Sequence, residues 1–511
     1  MTIKRRELLK YAAIAGGLLV LPAGFQRIAH AKDPESPAGN PFTLPFRVPP
    51  VLQPVRSDNT SGSNGLQDFE GTDYYEIAIT KARTQIIPGK STEIWGYGGI
   101  FPGPTIKQKR DRQSVVRYIN KLDVPMVIHL HGMAALPEYD GWAHDAVEPG
   151  YYKDFIYPNN RPATIWYHDH ALHKTAPNVN MGLAGMYIVY DEYEQNLNLP
   201  SGEYDVPLVI HDKIFDSKGQ IVYDDEGQKS LFGDVITVNG VAWPRMEVAR
   251  RKYRFRVLNA SVSRSYRLKL STGDEFIMIG TDAGLRSAPV AVDSFRISMA
   301  ERYEFILDFS KYPIGTKIVL ENESPDNNED YEKTDRIMRF DVVRDAEDTS
   351  EIPSTLRYVT PVSQLIPQAV RTREFRYERT GGQWVVNGNT WNRYESDANP
   401  QVGDVEIWTL YTNSGGWFHP IHVHLIDCQI IDRNEQPPFV YEEGWKDVIY
   451  VGGNESVRVV GKFGPHTGRY MTHCHNLVHE DHDMMRAIQI GNNSTDPALV
   501  APPKPLPAPP L

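Results

Sequence analysis

Short runs in which apolar and polar residues alternate recur along most of the chain, separated by glycine, proline and asparagine. Examples are YYEIAIT (74–80), ATIWYHDH (163–170), YRFRVLNA (253–260) and VEIWTLY (405–411). Alternation with a period of two is typical of β-strands with one buried face, and no long amphipathic helix stands out. The pattern therefore predicts an all-β protein built of sandwiches or barrels.

Two distant segments share the pattern VNGxxWxRxE, which indicates an internal repeat: ITVNGVAWPRMEV (236–248) and WVVNGNTWNRYES (384–396). A strand-like run follows each of them, and GIFPGPTIKQK (99–109) gives the first third a similar layout. We therefore predict three related β units. They cover residues 69–195, 204–345 and 372–492, with a linker at 344–371, an extended lead-in at 32–68 and a proline-rich tail at 493–511.

The N-terminus has the layout of an export signal. A basic stretch, KRRELLK (4–10), precedes the apolar stretch YAAIAGGLLVLPAGF and the small-residue site Ala29-His30-Ala31. We predict a removable signal over residues 1–31, and the adjacent Arg5-Arg6 favours the bacterial twin-arginine export machinery over a Sec signal with a chance arginine pair. The apolar stretch is short for a membrane span, so we expect a periplasmic or secreted protein without a stable membrane anchor.

The net charge argues against one class of binding partner, and the number of cysteines limits the roles that they can have. The 511 residues carry a formal charge of −11, and removal of residues 1–31 would make it −15. No basic stripe appears in the body of the chain, which argues against nucleic acid as a partner. The chain has two cysteines, Cys428 and Cys474. If Cys474 binds a metal ion, Cys428 is expected to be a free, buried thiol.

Ten of the sixteen histidines fall in four short motifs: His129-Leu-His131, His168-Asp-His170, His419-Pro-Ile-His422-Val-His424, and His473-Cys474-His475 with His479. On a strand, residues two apart face the same side, so each H-x-H pair projects two imidazoles together. Cys474 faces the other way from its neighbours, and the odd spacing of His419 from His422 and His424 lets it join Cys474. His479 can join them if the chain turns out of the strand after His475.

The two groups of side chains favour different metal chemistry. One cysteine, two histidines and a distant methionine fit the trigonal copper site used for electron transfer. The eight remaining histidines are too many for one ion and fit a cluster of several copper ions. A structural zinc site closes at four ligands, usually with more cysteines, and fits this set poorly.

The motifs HxHG, HxH, HPxHxH and HCHxxxHxxxxM, in this order, resemble the four signatures of the multicopper oxidases across essentially the whole mature chain. YDGWAHDAVEPG, WYHDHALH, GGWFHPIHVHL and HCHNLVHEDHDMM look most like the bilirubin oxidases and bacterial spore-coat laccases of that family. The resemblance implies three cupredoxin-like Greek-key β-sandwich or barrel domains and four copper ions per chain.

Carried onto this sequence, the resemblance implies the following ligands: His419, Cys474, His479 and Met484 for type 1 copper; His129 and His422 for type 2; and His131, His168, His170, His424, His473 and His475 for the type 3 pair. It also implies that Asp140 and Glu480 supply protons and that Trp417 lies beside the type 1 site. Without the resemblance, these three would read as a turn aspartate, a solvated glutamate and a packing residue.

These features lead to one main hypothesis and two alternatives. The main one is an oxidase, expected to be a monomer, that takes single electrons from bilirubin-like tetrapyrroles, phenols or aromatic amines and reduces dioxygen to water. A cuprous or manganous ion oxidase is the second, although the twelve methionines are scattered and form no methionine-rich insert near the third unit. The third is a non-catalytic copper-binding protein of the cell envelope, which the complete ligand set disfavours.

Overall fold

The computed structural model describes residues 36–63, 68–325, 328–413 and 415–511. The predicted export signal over residues 1–31, with Arg5-Arg6 and its cleavage site, lies outside the described residues. Within the described ranges, no helix has the length and apolar composition that a membrane crossing requires.

Strands dominate each third of the chain, as the alternating pattern predicts. The first third contains β1 (Arg56–Asp58), β2 (Gly62–Ser63), β3 (Asp68–Phe69), β4 (Thr72–Thr84), β5 (Thr92–Tyr97), β6 (Gly103–Lys109), β7 (Gln113–Asn120), β8 (Ile128–His131), β9 (Tyr151–Tyr157), β10 (Ala163–Asp169) and β11 (Ala184–Tyr190). The second contains β12 (Asp205–Phe215), β13 (Ile221–Val222), β14 (Val235–Val238), β15 (Val241–Ala242), β16 (Arg245–Arg250), β17 (Lys252–Asn259), β18 (Tyr266–Leu270), β19 (Phe276–Thr281), β20 (Gly284–Val292), β21 (Ser294–Ile297), β22 (Arg302–Asp308), β23 (Lys317–Asn322) and β24 (Arg336–Asp345).

The last third continues with β25 (Ala369–Thr380), β26 (Gln383–Val386), β27 (Ser396–Ala398), β28 (Val405–Tyr411), β29 (His419–Val423), β30 (Cys428–Arg433), β31 (Val448–Val451), β32 (Ser456–Lys462), β33 (Gly468–Cys474), β34 (Met485–Ile490) and β35 (Lys504–Pro505). Helices are short: Thr175–Met181, Glu192–Gln195, Val362–Leu365 and Leu477–Asp481, with 3₁₀ turns at Pro137–Tyr139, Gly202–Tyr204, Phe309–Lys311, Ile366–Gln368, Val440–Glu442 and Pro497–Leu499.

The strands of each third form two larger sheets. In the first third the orders are β1-β4-β7-β9-β35, with β5 beside β4, and β6-β11-β10-β8. In the second they are β15-β14-β12-β17-β22-β19-β20, with β13 beside β12, and β16-β24-β23-β18-β21. In the third they are β26-β25-β28-β32-β30 and β27-β34-β33-β29-β31. A separate hydrophobic core lies in each third, so the protein has the predicted all-β architecture of three cupredoxin-like domains.

Alternation decides which side chains enter these cores. On β4, Tyr75, Ile77 and Ile79 are buried in the first core, whereas Glu76 between them is exposed. Strand β10 departs from this rule because every one of its residues is buried. Trp166 of β10 packs in a further apolar cluster with Val209 and Val448, which joins all three domains. This strand therefore lies in the interior, between its own domain and the other two.

The repeated VNG segments form the same turn in two domains. Asn239 and Asn387 follow β14 and β26 with φ of 50° and 54°, and the glycines after them have φ of 74° and 81°. Two successive positive φ angles are what a two-residue hairpin turn of type I′ requires, and Asn-Gly adopts them readily. Asn239 Oδ1 accepts a hydrogen bond from Val209 N–H at 2.8 Å, and Asn387 Oδ1 accepts one from Arg376 N–H at 2.8 Å. The shared Asn-Gly pair is therefore explained by the two successive positive φ angles that this turn requires.

The proline-rich tail is an ordered part of the first domain's surface, which its composition did not indicate. Lys504 of β35 pairs with Tyr152 of β9. Leu506 N–H donates to the carbonyl of Gly150 at 3.0 Å, and Arg117 Nη1 donates to the carbonyl of Pro509 at 2.5 Å. The tail thereby covers the edge strand of a first-domain sheet, which would otherwise expose unpaired backbone groups.

Deleting residues 503–511 is expected to make the amide hydrogens of β9 exchange about tenfold faster. The deletion removes backbone hydrogen bonds that each contribute about 0.5–1.5 kcal/mol, and a factor of ten corresponds to roughly 1.4 kcal/mol of local opening free energy. Hydrogen–deuterium exchange of the copper-loaded protein measures this, with β17 as the internal control. Unchanged exchange in β9 would show that the tail does not protect this edge.

Candidate metal centre

Two pairs of neighbouring strands carry most of the histidine motifs. In the first domain, His168 of β10 lies opposite His129 of β8. In the third domain, His422 of β29 lies opposite His473 of β33, and Ile421 lies opposite Cys474. The H-x-H side chains therefore leave their sheets toward the seam between the two domains, while Cys474 points into the third domain's own core.

Eight histidines meet in this seam. His129 Nε2 lies 3.4 Å from His422 Nε2, and His473 Nε2 lies 3.2 Å from both His170 Nε2 and His424 Nε2. The His475 ring centre is 5.1 Å from those of His131 and His168. Three triads each have ligand atoms within 4.8 Å of one another: His129, His422 and His424; His129, His131 and His168; and His170, His424 and His473. We call these eight residues the seam cluster: His129, His131, His168, His170, His422, His424, His473 and His475.

Cys474 forms a second, smaller group of donor atoms. Its Sγ lies 3.5 Å from His419 Nδ1 and 3.6 Å from His479 Nδ1. Strand β33 ends at Cys474, and Asn476 caps the helix Leu477–Asp481 by accepting a hydrogen bond from Val478 N–H. This turn brings His479 back toward Cys474. Met484 is fully buried in the same core, and its carbonyl accepts the Cys474 N–H at 3.0 Å.

Burial sets the protonation of these side chains. Desolvation lowers the pKa of His129, His168 and His424 well below the ordinary histidine value, so the rings are neutral and offer lone pairs. It also raises the pKa of the Cys474 thiol, which means that a thiolate there needs a neighbouring cation. Burial thus holds these three histidines in the neutral form that a metal ligand requires, whereas the Cys474 thiol becomes a ligand only when a metal ion displaces its proton.

Several ring nitrogens also lack a partner. His168 Nε2, His419 Nε2 and both nitrogens of His475 are buried without a hydrogen bond to any described residue. Unpaired buried polar atoms are costly and usually indicate an absent binding partner. Imidazole with a single thiolate is a donor set that suits copper, so the residues present fit this metal.

Two buried carboxyl groups touch the seam cluster on different sides. Asp140 Oδ2 accepts a hydrogen bond from His424 Nδ1 at 2.7 Å, and the Asp140 carbonyl accepts one from His129 Nδ1. Glu480 lies 3.1 Å from His473 Nδ1 and 3.4 Å from His170 Nδ1. Glu480 also accepts a hydrogen bond from the Thr175 hydroxyl at 3.1 Å.

The two carboxyl groups have opposite pKa shifts. Desolvation raises the pKa of Asp140 well above its ordinary value. Burial also acts to raise the pKa of Glu480, but His473 and His170 outweigh it and lower the pKa to about 2. The environments therefore favour a protonated Asp140 and an ionised Glu480.

Aromatic rings surround the Cys474 group. Trp417 is partly exposed, and its ring meets those of His479 at 5.7 Å and Trp384 at 5.2 Å, both edge to face. Trp384, which the sequence did not single out for this site, stacks on His479 with ring centres 3.6 Å apart. Its Nε1–H donates to the Gln228 carbonyl at 2.6 Å, and His479 Nε2 bonds the Lys229 carbonyl at 2.8 Å. A second-domain loop therefore covers the outer edge of His479.

Asp447 and Arg302 are further site residues that the motifs did not reveal. Asp447 Oδ1 lies 3.0 Å from His131 Nε2, and the Asp447 carbonyl accepts a hydrogen bond from His422 Nδ1 at 2.8 Å. Arg302 of the second domain holds the Asp447 carboxylate through two hydrogen bonds of 2.6 and 2.5 Å. An aspartate separated by 316 residues from His131 gives no local signal in a sequence.

The remaining cysteine behaves as predicted. Cys428 is buried, forms no disulfide and lies in the core of the third domain.

Profiles of the multicopper oxidase family match three stretches of the chain, residues 78–194, 203–331 and 358–494. A bilirubin oxidase of Albifimbria verrucaria is 42% identical over 486 residues, which cover 91% of this chain and 83% of that protein. A laccase of Bacillus subtilis is 35% identical, covering 89% of this chain and 99% of that protein.

A solved laccase structure from Pediococcus acidilactici superposes with a TM-score of 0.80 at 30% sequence identity, covering 90% of this chain and 96% of that one. Because the family profiles span most of the chain and the relatives match nearly all of it, the chain belongs to the multicopper oxidases, copper-containing oxidoreductases that use dioxygen as the electron acceptor.

Proposed function

We propose that the two groups of donor atoms bind four copper ions per chain. In this assignment type 1 copper is held by His419, Cys474, His479 and Met484. Type 2 copper is held by His129 and His422, and the type 3 pair by His131, His168, His170, His424, His473 and His475. When bound, copper would supply one-electron chemistry beside Cys474 and four-electron reduction of dioxygen to water in the seam cluster.

One observation carries this proposal: Cys474 lies between two seam-cluster residues in the chain. The thiol side chain belongs to the Cys474 group, whereas His473 and His475 reach the seam cluster, so a single stretch of backbone joins the two sites. Such a link suits a protein that collects electrons singly at one place and uses them together at another.

We infer that the electron donors are small organic molecules, namely bilirubin-like tetrapyrroles, phenols or aromatic amines. Support comes from the bilirubin oxidase and laccase relatives, which match over most of this chain. The partly exposed Trp417 supports the same donor class, since an aromatic ring at the surface beside His479 offers a flat apolar contact to an aromatic donor.

We further propose that Asp140 and Glu480 supply protons for the reduction of dioxygen. Each carboxyl group is within hydrogen-bond distance of a seam-cluster histidine, so both lie at the edge of the site where protons are needed. In this proposal the protonated Asp140 donates a proton directly, whereas the ionised Glu480 acts as a relay that takes up a proton before passing it on. The Thr175 hydroxyl, bonded to Glu480, provides the next polar group on that side. We also propose, from the N-terminal sequence, that the protein is exported by the twin-arginine route and acts outside the cytoplasm. The proposal that it is a monomer rests on its family resemblance alone.

Oxygen uptake by copper-loaded protein with single donors tests the donor class. Bilirubin and a methoxyphenol are expected to support turnover, and the Cys474→Ser variant, used as control, should consume no oxygen with either. If cuprous or manganous ion supports turnover and neither bilirubin nor the methoxyphenol does, the organic-donor proposal is refuted and a metal-ion oxidase is favoured.

Replacing the thiol tests the type 1 assignment. Cys474→Ser is expected to lose the blue absorption band and reduce oxygen uptake to background, because a serine oxygen cannot replace the copper–thiolate bond. Cys428→Ser is the matched control, since it alters the other buried thiol and should keep both properties. A blue band that survives in Cys474→Ser would contradict the assignment.

Glu480→Gln tests the proton role. It keeps the shape of the side chain but cannot exchange a proton at that position, so oxygen uptake at saturating donor should fall by about 10²–10⁴-fold. Copper content and the blue band should stay unchanged. The same change at the exposed Glu443 is the control, and equal turnover in wild type and Glu480→Gln would refute the role.

A further inference from the structure

A cavity of about 490 Å³ opens where the three domains meet, away from the Cys474 group. Residues 160–162 of the first domain form one wall, and residues 357–359 of the linker form another. Residues 425–427, Trp445 and Lys462 of the third domain complete it. This volume falls within the range of small-molecule sites in proteins, about 300–1,000 Å³.

The charge in this cavity is opposite to that of the whole protein. Its lining carries four cations, Arg110, Arg161, Arg357 and Lys462, and one carboxylate, that of Asp427. Two of the cations also pair with carboxylates outside the lining, since Asp191 lies 2.7 Å from Arg357 and Asp111 lies 3.2 Å from Arg110. The chain as a whole has a formal charge of −11. A concave, locally positive surface on an acidic protein concentrates small anions.

Some of these cations have hydrogen-bond donors to spare. Arg161 is held in place because its Nη2 donates to the Gly132 carbonyl at 2.6 Å and its Nε lies 2.9 Å from Asp427 Oδ2. Its Nη1 is buried without a partner among the described residues, as is Arg357 Nε. Lys462 makes no ion pair with any residue in the described ranges. A fixed guanidinium with a free N–H group is a strong hydrogen-bond donor to a carboxylate.

The same cavity has an apolar side. Leu285, Leu425 and Trp445 contribute to its wall, and the Tyr358 ring at its rim is 74% exposed. An inorganic oxyanion would leave these surfaces in water, whereas a molecule with a charged group and an apolar ring would cover them. We propose that the cavity binds a small organic carboxylate with an aromatic or alicyclic body.

The occupant would lie against the segments that position the seam cluster. Leu425 directly follows His424 and has a φ of 76°, which is unusual for a residue with a bulky side chain. Gly132, bonded to Arg161, follows His131, and Trp445 lies two residues before Asp447. Strained backbone next to a functional residue is a place where binding can shift a local equilibrium. A carboxylate bound here would therefore also alter the rate of oxygen reduction, a consequence that rests on the proposed function.

Titration calorimetry of the copper-loaded protein with benzoate tests the site. Saturable binding is expected, and the Arg357→Gln, Lys462→Gln double variant should raise the dissociation constant at least tenfold. Lys121→Gln, which removes an exposed lysine elsewhere, should bind like wild type. Binding that survives in the double variant, or no saturable binding to wild type, would overturn the proposal.

Two further ligands define what the cavity recognises. Benzyl alcohol, which has the ring without the charge, should bind much more weakly than benzoate, and equal binding would refute anion recognition. Inorganic phosphate should not displace benzoate at equal concentration, and displacement would refute the need for an organic body. Because these measurements report binding, they show whether the cavity binds an organic carboxylate even if the protein oxidises none of the donors tested.

Saturating benzoate should change the rate of oxygen uptake by wild type at least twofold, and it should leave the rate of the Arg357→Gln, Lys462→Gln double variant unchanged. Equal rates with and without benzoate in wild type would refute the link to the seam cluster.

Discussion

The pairing of imidazole nitrogens across the seam between the first and third domains is the constraint on which the rest of the structure depends. His129 comes within 3.4 Å of His422, and His170 within 3.2 Å of His473, with all four rings buried. Neither domain alone can bring these atoms together, and buried imidazole nitrogens are costly unless a partner takes their lone pairs. The domains must therefore dock with the accuracy that metal ligands require.

The second domain contributes no residue to either donor group, yet it fixes the geometry of the seam. Arg302 reaches from this domain to the Asp447 carboxylate, and Asp447 contacts His131 and His422. The packing is so close that a Cβ at Gly132 would lie 2.8 Å from both Arg302 and Asp447, and Gly132 has a φ of 92°. Partners of ligand histidines commonly hold the ring orientation that a metal needs, and here the partner is itself held by another domain.

The sequence was informative where a local rule controls the structure. Alternation on strands separates His473 and His475 from Cys474, and a short capped helix returns His479 to the thiol. The Asn-Gly turns explain the repeat. Asp447, Arg302 and Trp384 could not be found in this way, because their contacts depend on tertiary packing between segments more than 90 residues apart. The contact between the Lys229 carbonyl and His479 could not be found from the sequence either, since a loop of another domain provides it.

Backbone carbonyl groups determine which nitrogen each ring turns toward its site. In four rings of the seam cluster, Nδ1 pairs with a backbone carbonyl, which leaves Nε2 of each ring free to face the seam. The pairs are His129 with Asp140, His168 with Asp169, His422 with Asp447, and His473 with Cys474. At the smaller site the pattern reverses, because the Lys229 carbonyl takes Nε2 of His479 and Nδ1 faces Cys474. A neutral imidazole donates from one nitrogen and offers a lone pair at the other, so these carbonyls select the tautomer. The two sites therefore differ in ligand chemistry partly because different backbone segments lie behind the same kind of side chain.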